Sequence, residues 1–277
     1  MPTTAVSFDA TPDTFAANRA TGLVNLAVGA RGGTTVRTHV HENGSLRVRF
    51  PNVSADPLET VIINTAGGMT GGDEFAIKLE LGAGANLLAG TAAAEKIYRS
   101  TGPDTAIAIC IDVASGSRCL WLPQETILFD RARLLRRIDI NLAGRASLLM
   151  VEAVVFGRYA MGEAVHEGRL VDRWRVRRDG RLIFAETVRL DGAISEQLAQ
   201  PAVAGGGIAI ATVLMTPADE TNITALRESR FHGEVGFSAW NGIALARLCA
   251  ADGATLRQDL ITLLSALSAQ VPRLWLQ

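Results

Sequence analysis

The sequence NTAGGMTGGD spans residues 64–73, and it leads directly into EFAIKLEL at residues 74–81. The first part places four glycines in six positions, which indicates a backbone that needs positive φ angles or close approach to another group. The second part alternates apolar and polar residues with a period of two, which is typical of a strand with one buried face. Together they predict a Gly-rich turn that enters a β-strand.

The same period of two recurs through the first 200 residues or so. Leu46–Phe50 and Ile107–Val113 alternate apolar residues with polar or smaller ones, and short Gly-rich turns separate such runs. Asp179-Gly180 lies between Trp174–Arg178 and Arg181–Val188, and Asp-Gly between two alternating runs predicts a β-hairpin, because both residues tolerate positive φ.

The pattern changes near residue 240. Leucines and alanines in Asn241–Ala251 and Thr255–Ala269 fall at helical spacing, and Asp252-Gly253 between them is typical of a helix stop and restart. We therefore predict a mainly β fold: a large multi-strand body of stacked sheets with a pair of C-terminal α-helices. We expect one domain over residues 1–277, with the β body at about 20–238 and the helical segment at about 239–270.

The composition excludes several classes of protein. Apolar residues make up 48% of the chain and charged residues 20%, which fits a packed globular protein rather than a disordered one. The net charge of −1 gives no basic excess, so we expect no nucleic-acid partner. Three cysteines without a C-x-x-C pair favour a reducing, cytoplasmic location. We expect no signal peptide, since the first 15 residues show no basic region followed by an apolar run. We expect no membrane span, since no apolar run reaches about 20 residues.

Three interpretations of residues 64–73 stay open at this point. The segment is a double turn between strands, a loop that faces a metal or a partner, or a cradle of backbone N–H groups for phosphate. The phosphate hypothesis is the weakest, because Gly-Lys-Ser/Thr is absent and a strand rather than a helix follows. Asp73 and Glu74 are the informative residues, since adjacent carboxylates beside a turn offer oxygen ligands to cations.

Two further segments combine acids with apolar residues. Glu125 and Asp130 lie in the stretch from Leu122 to Arg133, where nearby arginines are candidate ion-pair partners. Glu152 directly follows the apolar run that ends at Val151, and an acid so placed has a buried role or a paired cation. The segment from Glu152 to Glu163 is the third segment, after residues 64–73 and the second segment, Leu122–Arg133. For the acids of the second and third segments, ordinary ion pairing is the alternative to a functional role.

No catalytic constellation can be defended from the sequence. His39 and His41 would share a strand face, yet two ligands alone make an incomplete metal site, and most such pairs are surface residues. No Ser-His-Asp or Cys-His arrangement is evident. We therefore favour a scaffold and carrier over an enzyme.

These segments together resemble the urease accessory protein UreD family. The block from Asn64 to Asp73 is similar to the family's Asn-x-x-Gly-Gly-apolar-x-Gly-Gly-Asp hallmark, with Thr65-Ala66 where prolines are common. Thr91–Ser100 is similar to Thr-x-Ala-Ala-Thr-Lys-apolar-Tyr-Arg-Ser, with Glu95 in place of the usual Thr. The segments Leu122–Arg133 and Glu152–Glu163 also match the family, as does the ending Pro272–Trp275. The resemblance therefore runs from about Gly22 to the C-terminus.

The resemblance implies a function that the residues alone do not. UreD-like proteins are non-enzymatic chaperones that bind the urease apoenzyme subunits and dock UreF, which in turn recruits the GTPase UreG. The assembly delivers nickel to the urease active site, and a water-filled tunnel through UreD is the proposed route. The family fold is mainly β with two helices near the C-terminus. No tightly bound cofactor is implied, only a nickel ion in transit.

A nickel conduit needs ligands that bind weakly and exchange, which scattered carboxylates and waters provide better than a closed His/Cys cage. The candidates for a transient nickel path are Asp73, Glu74, Glu125, Asp130, Glu152 and Glu163. Two alternatives from other classes stay open: an enzyme that holds an anionic substrate in the Gly-rich loop, and a β-sandwich binding module without metal.

Overall fold

The computed structural model describes residues 18–51, 56–158, 162–218 and 220–276. Its strands are β1 (Thr21–Arg31), β2 (Thr34–Gly44), β3 (Leu46–Arg49), β4 (Leu58–Asn64), β5 (Glu74–Leu81), β6 (Asn86–Thr91), β7 (Glu95–Ile97), β8 (Thr105–Val113), β9 (Arg118–Trp121), β10 (Thr126–Leu128), β11 (Arg133–Leu142), β12 (Ser147–Phe156), β13 (Glu167–Arg178), β14 (Arg181–Ala193), β15 (Ala209–Thr216), β16 (Glu234–Trp240) and β17 (Ile243–Ala250). The helices are α1 (Ile194–Leu198), α2 (Glu220–Arg227) and α3 (Gly253–Ala266), followed by a 3₁₀ turn at Arg273–Leu276.

The strands form two sheets. The seven-stranded sheet has the order β14-β13-β11-β8-β5-β1-β2, and the ten-stranded sheet has the order β16-β17-β15-β12-β9-β6-β4-β3, with β10 and β7 added beside β12. The central strands of both sheets are parallel, whereas the edges close with antiparallel pairs. The prediction of a mainly β fold with stacked sheets is confirmed.

Parallel neighbours arise here because the chain passes back and forth between the sheets. β5, β8 and β11 lie in the seven-stranded sheet, while β6, β9 and β12, which follow them, lie in the ten-stranded sheet. The short Gly-rich turns that connect each pair stack on one another: Ala114 N–H donates to Leu81 O and Ala143 N–H donates to Val113 O, both at 2.9 Å. These stacked corners replace the helical crossovers that parallel strands ordinarily need.

Two apolar layers hold the fold together. The first lies between the sheets and joins side chains of both, such as Leu79 and Ile138 from one sheet with Trp121 and Met150 from the other. The second lies on the outer face of the ten-stranded sheet, which α3 covers with Leu256, Leu260, Leu263 and Leu264. The ten-stranded sheet is therefore buried on both faces, which explains its nearly continuous apolar strands.

The predicted hairpin is confirmed. β13 and β14 pair in antiparallel fashion, and the turn residues Asp179 and Gly180 have φ angles of 50° and 78°. Both residues have positive φ, as the primed turns of two-residue hairpins require.

The predicted helix over Asn241–Ala251 is wrong, because this segment is strand β17, paired with β15 and β16. The apolar residues of β17 are buried on both faces, between the inner core and α3, so the strand lacks the alternation of apolar and polar residues. In so short an apolar run, periodicity alone cannot distinguish a strand from a helix. Asn241-Gly242, with φ angles of 48° and 78°, is the hairpin turn. The β body therefore extends to Ala250 rather than to about residue 238.

The two helices near the C-terminus are α2 and α3, so the predicted pair of helices exists. Its first helix is α2, before β16 and β17, and not the predicted segment Asn241–Ala251. Asp252 starts α3 rather than ending a previous helix: its Oδ1 accepts a hydrogen bond from Thr255 N–H at 2.8 Å, as an N-cap residue does. That residues 1–277 form one domain stays a prediction.

Candidate functional site

The Gly-rich block forms a double turn that Asp73 closes. The Asp73 carboxylate is buried, and it accepts hydrogen bonds from Thr70 N–H at 2.8 Å and from Ala20 N–H at 2.9 Å. Gly67 and Gly72 have φ angles of 78° and 89°, which side chains rarely adopt. Asp73 thus fixes the turn and fastens it to the start of β1.

The other two glycines of the block allow close packing against the segment that follows β7. A Cβ atom on Gly68 would lie 2.4 Å from the Tyr98 ring, and one on Gly71 would lie 1.9 Å from Ser100 Oγ and 2.4 Å from Pro103 O. The Gly-rich block and the Thr91–Ser100 segment are therefore two halves of one packed unit.

The backbone amides of the block are largely engaged within the protein. Met69 N–H donates to Lys96 O at 2.8 Å, Gly72 N–H donates to Asp104 O at 3.0 Å, and Thr70 N–H donates to the Asp73 carboxylate. A phosphate cradle needs such N–H groups to converge on an external anion. The geometry matches the double-turn interpretation and gives the phosphate hypothesis no support.

The segments Leu122–Arg133 and Glu152–Glu163 contact the unit formed by the Gly-rich block and Thr91–Ser100. β10 pairs with both β7 and β12, and Gly157 N–H donates to Leu128 O at 2.7 Å. Phe129 lies between Tyr98, at 4.8 Å between ring centroids, and the Arg158 guanidinium, 4.5 Å from the Phe129 ring. Segments that are far apart in sequence thus converge on one end of the molecule, and we call their exposed side chains the motif face: Lys96, Tyr98, Arg99, Arg131 and Arg158.

A cavity of about 220 Å³ opens beside the motif face and extends between the two sheets. Its mouth includes the exposed residues Gly67, Ala93 and Lys96, and its inner end is formed by buried Trp121 and Glu152. We call it the interlayer cavity. Its volume has room for several water molecules, and polar groups at both ends can hydrogen-bond them.

A buried charge network lies at the inner end of this cavity. The Arg136 guanidinium donates two hydrogen bonds to Asp172, from Nε to Oδ1 at 3.0 Å and from Nη2 to Oδ2 at 2.5 Å. It donates another from Nη1 to Glu152 Oε2 at 2.5 Å. Glu152 Oε1 also accepts a hydrogen bond from Trp121 Nε1 at 2.6 Å. Arg136 and Asp172 belong to the seven-stranded sheet and Glu152 to the other, so the network ties the layers together.

The network contains one cation and two carboxylates. Burial acts to lower the pKa of Arg136, but Asp172 and Glu152 outweigh it and raise that pKa, so the guanidinium stays charged. Burial raises the pKa of Glu152, while Arg136 and the Trp121 N–H act in the opposite direction. One guanidinium thus serves two carboxyl groups, one of which, Glu152, lines the cavity.

Glu95 is the functional candidate that sequence reasoning missed. It lines the interlayer cavity near its mouth, where its Oε1 accepts a hydrogen bond from Asn64 Nδ2 at 2.8 Å. Burial raises its pKa, and the hydrogen bonds from Asn64 and the Lys96 backbone oppose this. The sequence feature that pointed to Glu95 was its presence in Thr91–Ser100 where the family usually has Thr. Only the fold shows that its carboxylate lies at a cavity.

The six sequence-predicted acids do not form one site. Glu152 alone among them lines the interlayer cavity, and Asp73 is buried in the turn. Glu125 forms an ion pair with Arg257 of α3 at 2.6 Å, and Glu74 is exposed at the start of β5.

Asp130 and Glu163 are the two predicted acids that lie together. Asp130 N–H donates to Glu163 Oε1 at 3.4 Å, and the Asp130 carboxylate accepts hydrogen bonds from the backbone of His166 and Glu167. Glu163 also pairs with Arg158 Nε at 2.7 Å. The remaining residues of the third segment, 159–161, lie outside the described residues.

Within the described ranges, no group of three or more His, Cys, Asp or Glu side chains has a geometry that could hold a metal ion. His39 and His41 are exposed on β2, and Cys110, Cys119 and Cys249 are free thiols. In the same part of the chain, no helix is long and apolar enough to span a membrane.

Comparison with known proteins identifies the family. The model of the UreD urease accessory protein family matches residues 20–276. The chain is 56% identical over 269 residues to the urease accessory protein UreD of Rhodopseudomonas palustris (strain CGA009), covering 96% of each chain. It is 54% identical over 270 residues to urease accessory protein UreD 3 of Bradyrhizobium sp. (strain BTAi1), covering 96% of this chain and 97% of the relative. The chain therefore belongs to the UreD family of urease accessory proteins, which implies a role in urease maturation.

Proposed function

We propose that this chain is a non-enzymatic scaffold of urease maturation that binds the urease apoenzyme subunits and UreF, and through UreF the GTPase UreG. In this proposal the complex works in the cytoplasm and helps to deliver nickel to the urease active site. Family membership over residues 20–276 supports the scaffold role. Nickel is cargo in transit, and no tightly bound cofactor is part of the proposal.

We further propose that nickel passes through the interlayer cavity. The observation that carries this proposal is the position of the cavity: it begins beside the motif face and ends at the buried Glu152 carboxylate. Carboxylate oxygens and water suit a divalent cation that must be released again, because too few protein ligands meet at one point to hold it.

Electrostatics favour a cation at the inner end of the cavity. Arg136 is shared between Asp172 and Glu152, so ionisation of both carboxyl groups leaves one negative charge in excess. In a buried setting such an excess is costly, and a passing cation lowers that cost. Glu95 at the mouth and Glu152 at the inner end are thus the proposed transient ligands.

The other five predicted acids are weaker proposals for the nickel path. Asp73 already accepts two backbone hydrogen bonds, and Glu125 and Glu163 are paired with arginines. Any contact of these acids, or of Glu74 and Asp130, with nickel would take place outside the lining of the interlayer cavity. We expect them to act first on folding and on the shape of the motif face.

Two measurements test the proposed function. The chain is co-expressed with urease subunits and UreF, and co-purification with both is expected; failure to bind either protein would refute the scaffold role. Nickel bound per urease active site is then measured for Glu95→Gln and Glu152→Gln, with Glu196→Gln at an exposed position of α1 as the matched control. We expect lower nickel content with the first two and intact complexes throughout; unchanged nickel content would refute the cavity route.

A further inference from the structure

The outer face of the seven-stranded sheet lacks the cover that its counterpart has. α3 packs on the outer face of the ten-stranded sheet, and α1 inserts Ile194 and Leu198 into the inner core. Of the helices in the described ranges, none packs on the outer face of the seven-stranded sheet. Leu135 of β11 is consequently 44% exposed in the middle of that face.

A groove of about 890 Å³ crosses this outer face. Strand register places Leu23, Ala76 and Ala108 in one row across β1, β5 and β8, and it places Glu74, Ala106, Leu135 and Val171 in the adjacent row. Apart from the exposed Glu74 at the β5 end of the second row, these residues form an apolar floor. The row of Leu23, Ala76 and Ala108 extends from Asn43 on β2 to Arg173 on β13. It crosses five strand spacings and is therefore about 24 Å long.

Two arginines stand directly opposite each other at one end of the groove. Arg137 on β11 and Arg173 on β13 are cross-strand partners, and both are exposed. Arg137 has an ion pair with Asp139, at 3.0 Å, whereas no ion pair of Arg173 is found among the described residues. Two guanidinium groups thus lie side by side at this end of the groove, and Asp139 compensates only one of them.

The arginine pair belongs to a basic region within a chain whose net charge is −1. On the outer face of β11, β13 and β14, the acids Asp139, Glu167 and Asp191, together with Asp104 beside them, are outnumbered by arginines: Arg133, Arg137, Arg169, Arg173, Arg175, Arg177 and Arg189. This region therefore has a local excess of positive charge beside the apolar floor, which favours association with a negatively charged partner.

We propose that this outer groove docks an acidic protein segment that places apolar side chains on the floor and carboxylates against Arg137 and Arg173. A helix of about 16 residues would match the 24 Å row. A second copy of this chain is disfavoured, because a two-fold contact would set the same basic region against itself. A nucleic acid is disfavoured because the floor offers aliphatic side chains, and Phe75, the aromatic residue that lines the groove, is buried and offers no platform for bases.

This inference rests on the proposed function, because its test uses the proposed partners as probes. Binding of purified urease apoprotein and of UreF is measured separately for the wild type, Arg137→Ala/Arg173→Ala and Arg137→Glu/Arg173→Glu. The control is Arg118→Glu/Arg145→Glu, which makes the same change in net charge at exposed arginines elsewhere. Thermal melting of every variant checks that the fold is kept.

We expect one of the two partners to bind more weakly to the alanine variant and at least about tenfold more weakly to the glutamate variant, with the control unchanged. The same partner should lose affinity at high salt in the wild type and less so in the glutamate variant. Equal binding by all variants, or an equal loss in the control, would overturn the inference while leaving the proposed function standing. A wild type that binds neither partner would instead refute the proposed function.

Discussion

The replacement of Arg136 by Met removes the single cation of the buried charge network. The Arg136 side chain is 3% exposed, and it forms two hydrogen bonds with Asp172 and one with Glu152. Met fills much of the same space without charge, so the change isolates the electrostatic role of the guanidinium. The two carboxylates would be left buried without their common partner.

We expect a large loss of stability. Removal of one partner from a buried ion pair costs about 3–5 kcal/mol, because an uncompensated charge remains. For a chain of this length, each kcal/mol lowers the melting temperature by roughly 2–4 °C, so the expected decrease is on the order of 10 °C. The hydrogen bond from Trp121 to Glu152 remains and keeps the loss from being larger.

The loss should depend on pH. Burial already raises the pKa of Glu152 above its ordinary value of 4.5, so the folded state holds this proton more tightly than the unfolded state. Stability that depends on this group is therefore highest at acid pH and falls as the pH rises through the folded pKa. Without Arg136 the pKa rises further, so the variant should lose less stability near pH 5 than near pH 8.

Urea unfolding of the wild type and Arg136→Met at both pH values measures this effect. The matched control is Arg137→Met, because Arg137 is the next residue on β11 and faces solvent; its change should stay within about 0.5 kcal/mol. A loss below about 1 kcal/mol for Arg136→Met, or a loss that does not vary with pH, would mean that the Arg136 charge does not stabilise the buried network.

The remaining predictions concern the Gly-rich block. Asp73→Ala should lower the free energy of unfolding by about 1–3 kcal/mol, because two backbone N–H groups lose their acceptor, whereas Glu74→Ala at the exposed neighbouring position should change it by less than about 0.5 kcal/mol; urea unfolding separates the two. Gly71→Ala should cost about 1–3 kcal/mol, since its Cβ would clash with the backbone oxygen of Pro103, and calorimetry that finds Gly71→Ala as stable as the wild type would contradict the packing described. Gly67→Ala meets no atom within 4 Å, so its cost should come from its positive φ alone, at about 1 kcal/mol.

Much of the fold could be predicted because one face of many strands is buried and the other is not. β5 shows this well: Phe75, Ile77, Leu79 and Leu81 are buried, and the residues between them are not. The signal failed in β17, where both faces are covered and the alternation disappears. Asn241-Gly242 was the clue to the hairpin there, as Asp179-Gly180 was for β13 and β14.

The candidate site was harder to predict, because its parts come together only through tertiary packing. The sequence indicated that Glu152 is buried or paired, and the structure confirms both. The sequence could not show that Arg136 and Asp172 share the network, since they come from β11 and β13 of the opposite sheet. Glu95 was noted only as an exception within its block, and its place at the cavity mouth depends on the packing of β7 against the Gly-rich turn.

Nickel passage through the interlayer cavity is tested most directly by closing the cavity without changing its charge. Ala94 lines the cavity near its mouth, so Ala94→Phe should place a ring in the opening, while Ala83→Phe places the same ring on an exposed turn at the opposite end of β5 as a control. The measurement is the nickel content of urease matured with each variant, together with co-purification of urease and UreF. We predict that Ala94→Phe lowers nickel content while the complex stays intact and that Ala83→Phe has no effect. Full nickel content with the cavity closed would contradict this prediction.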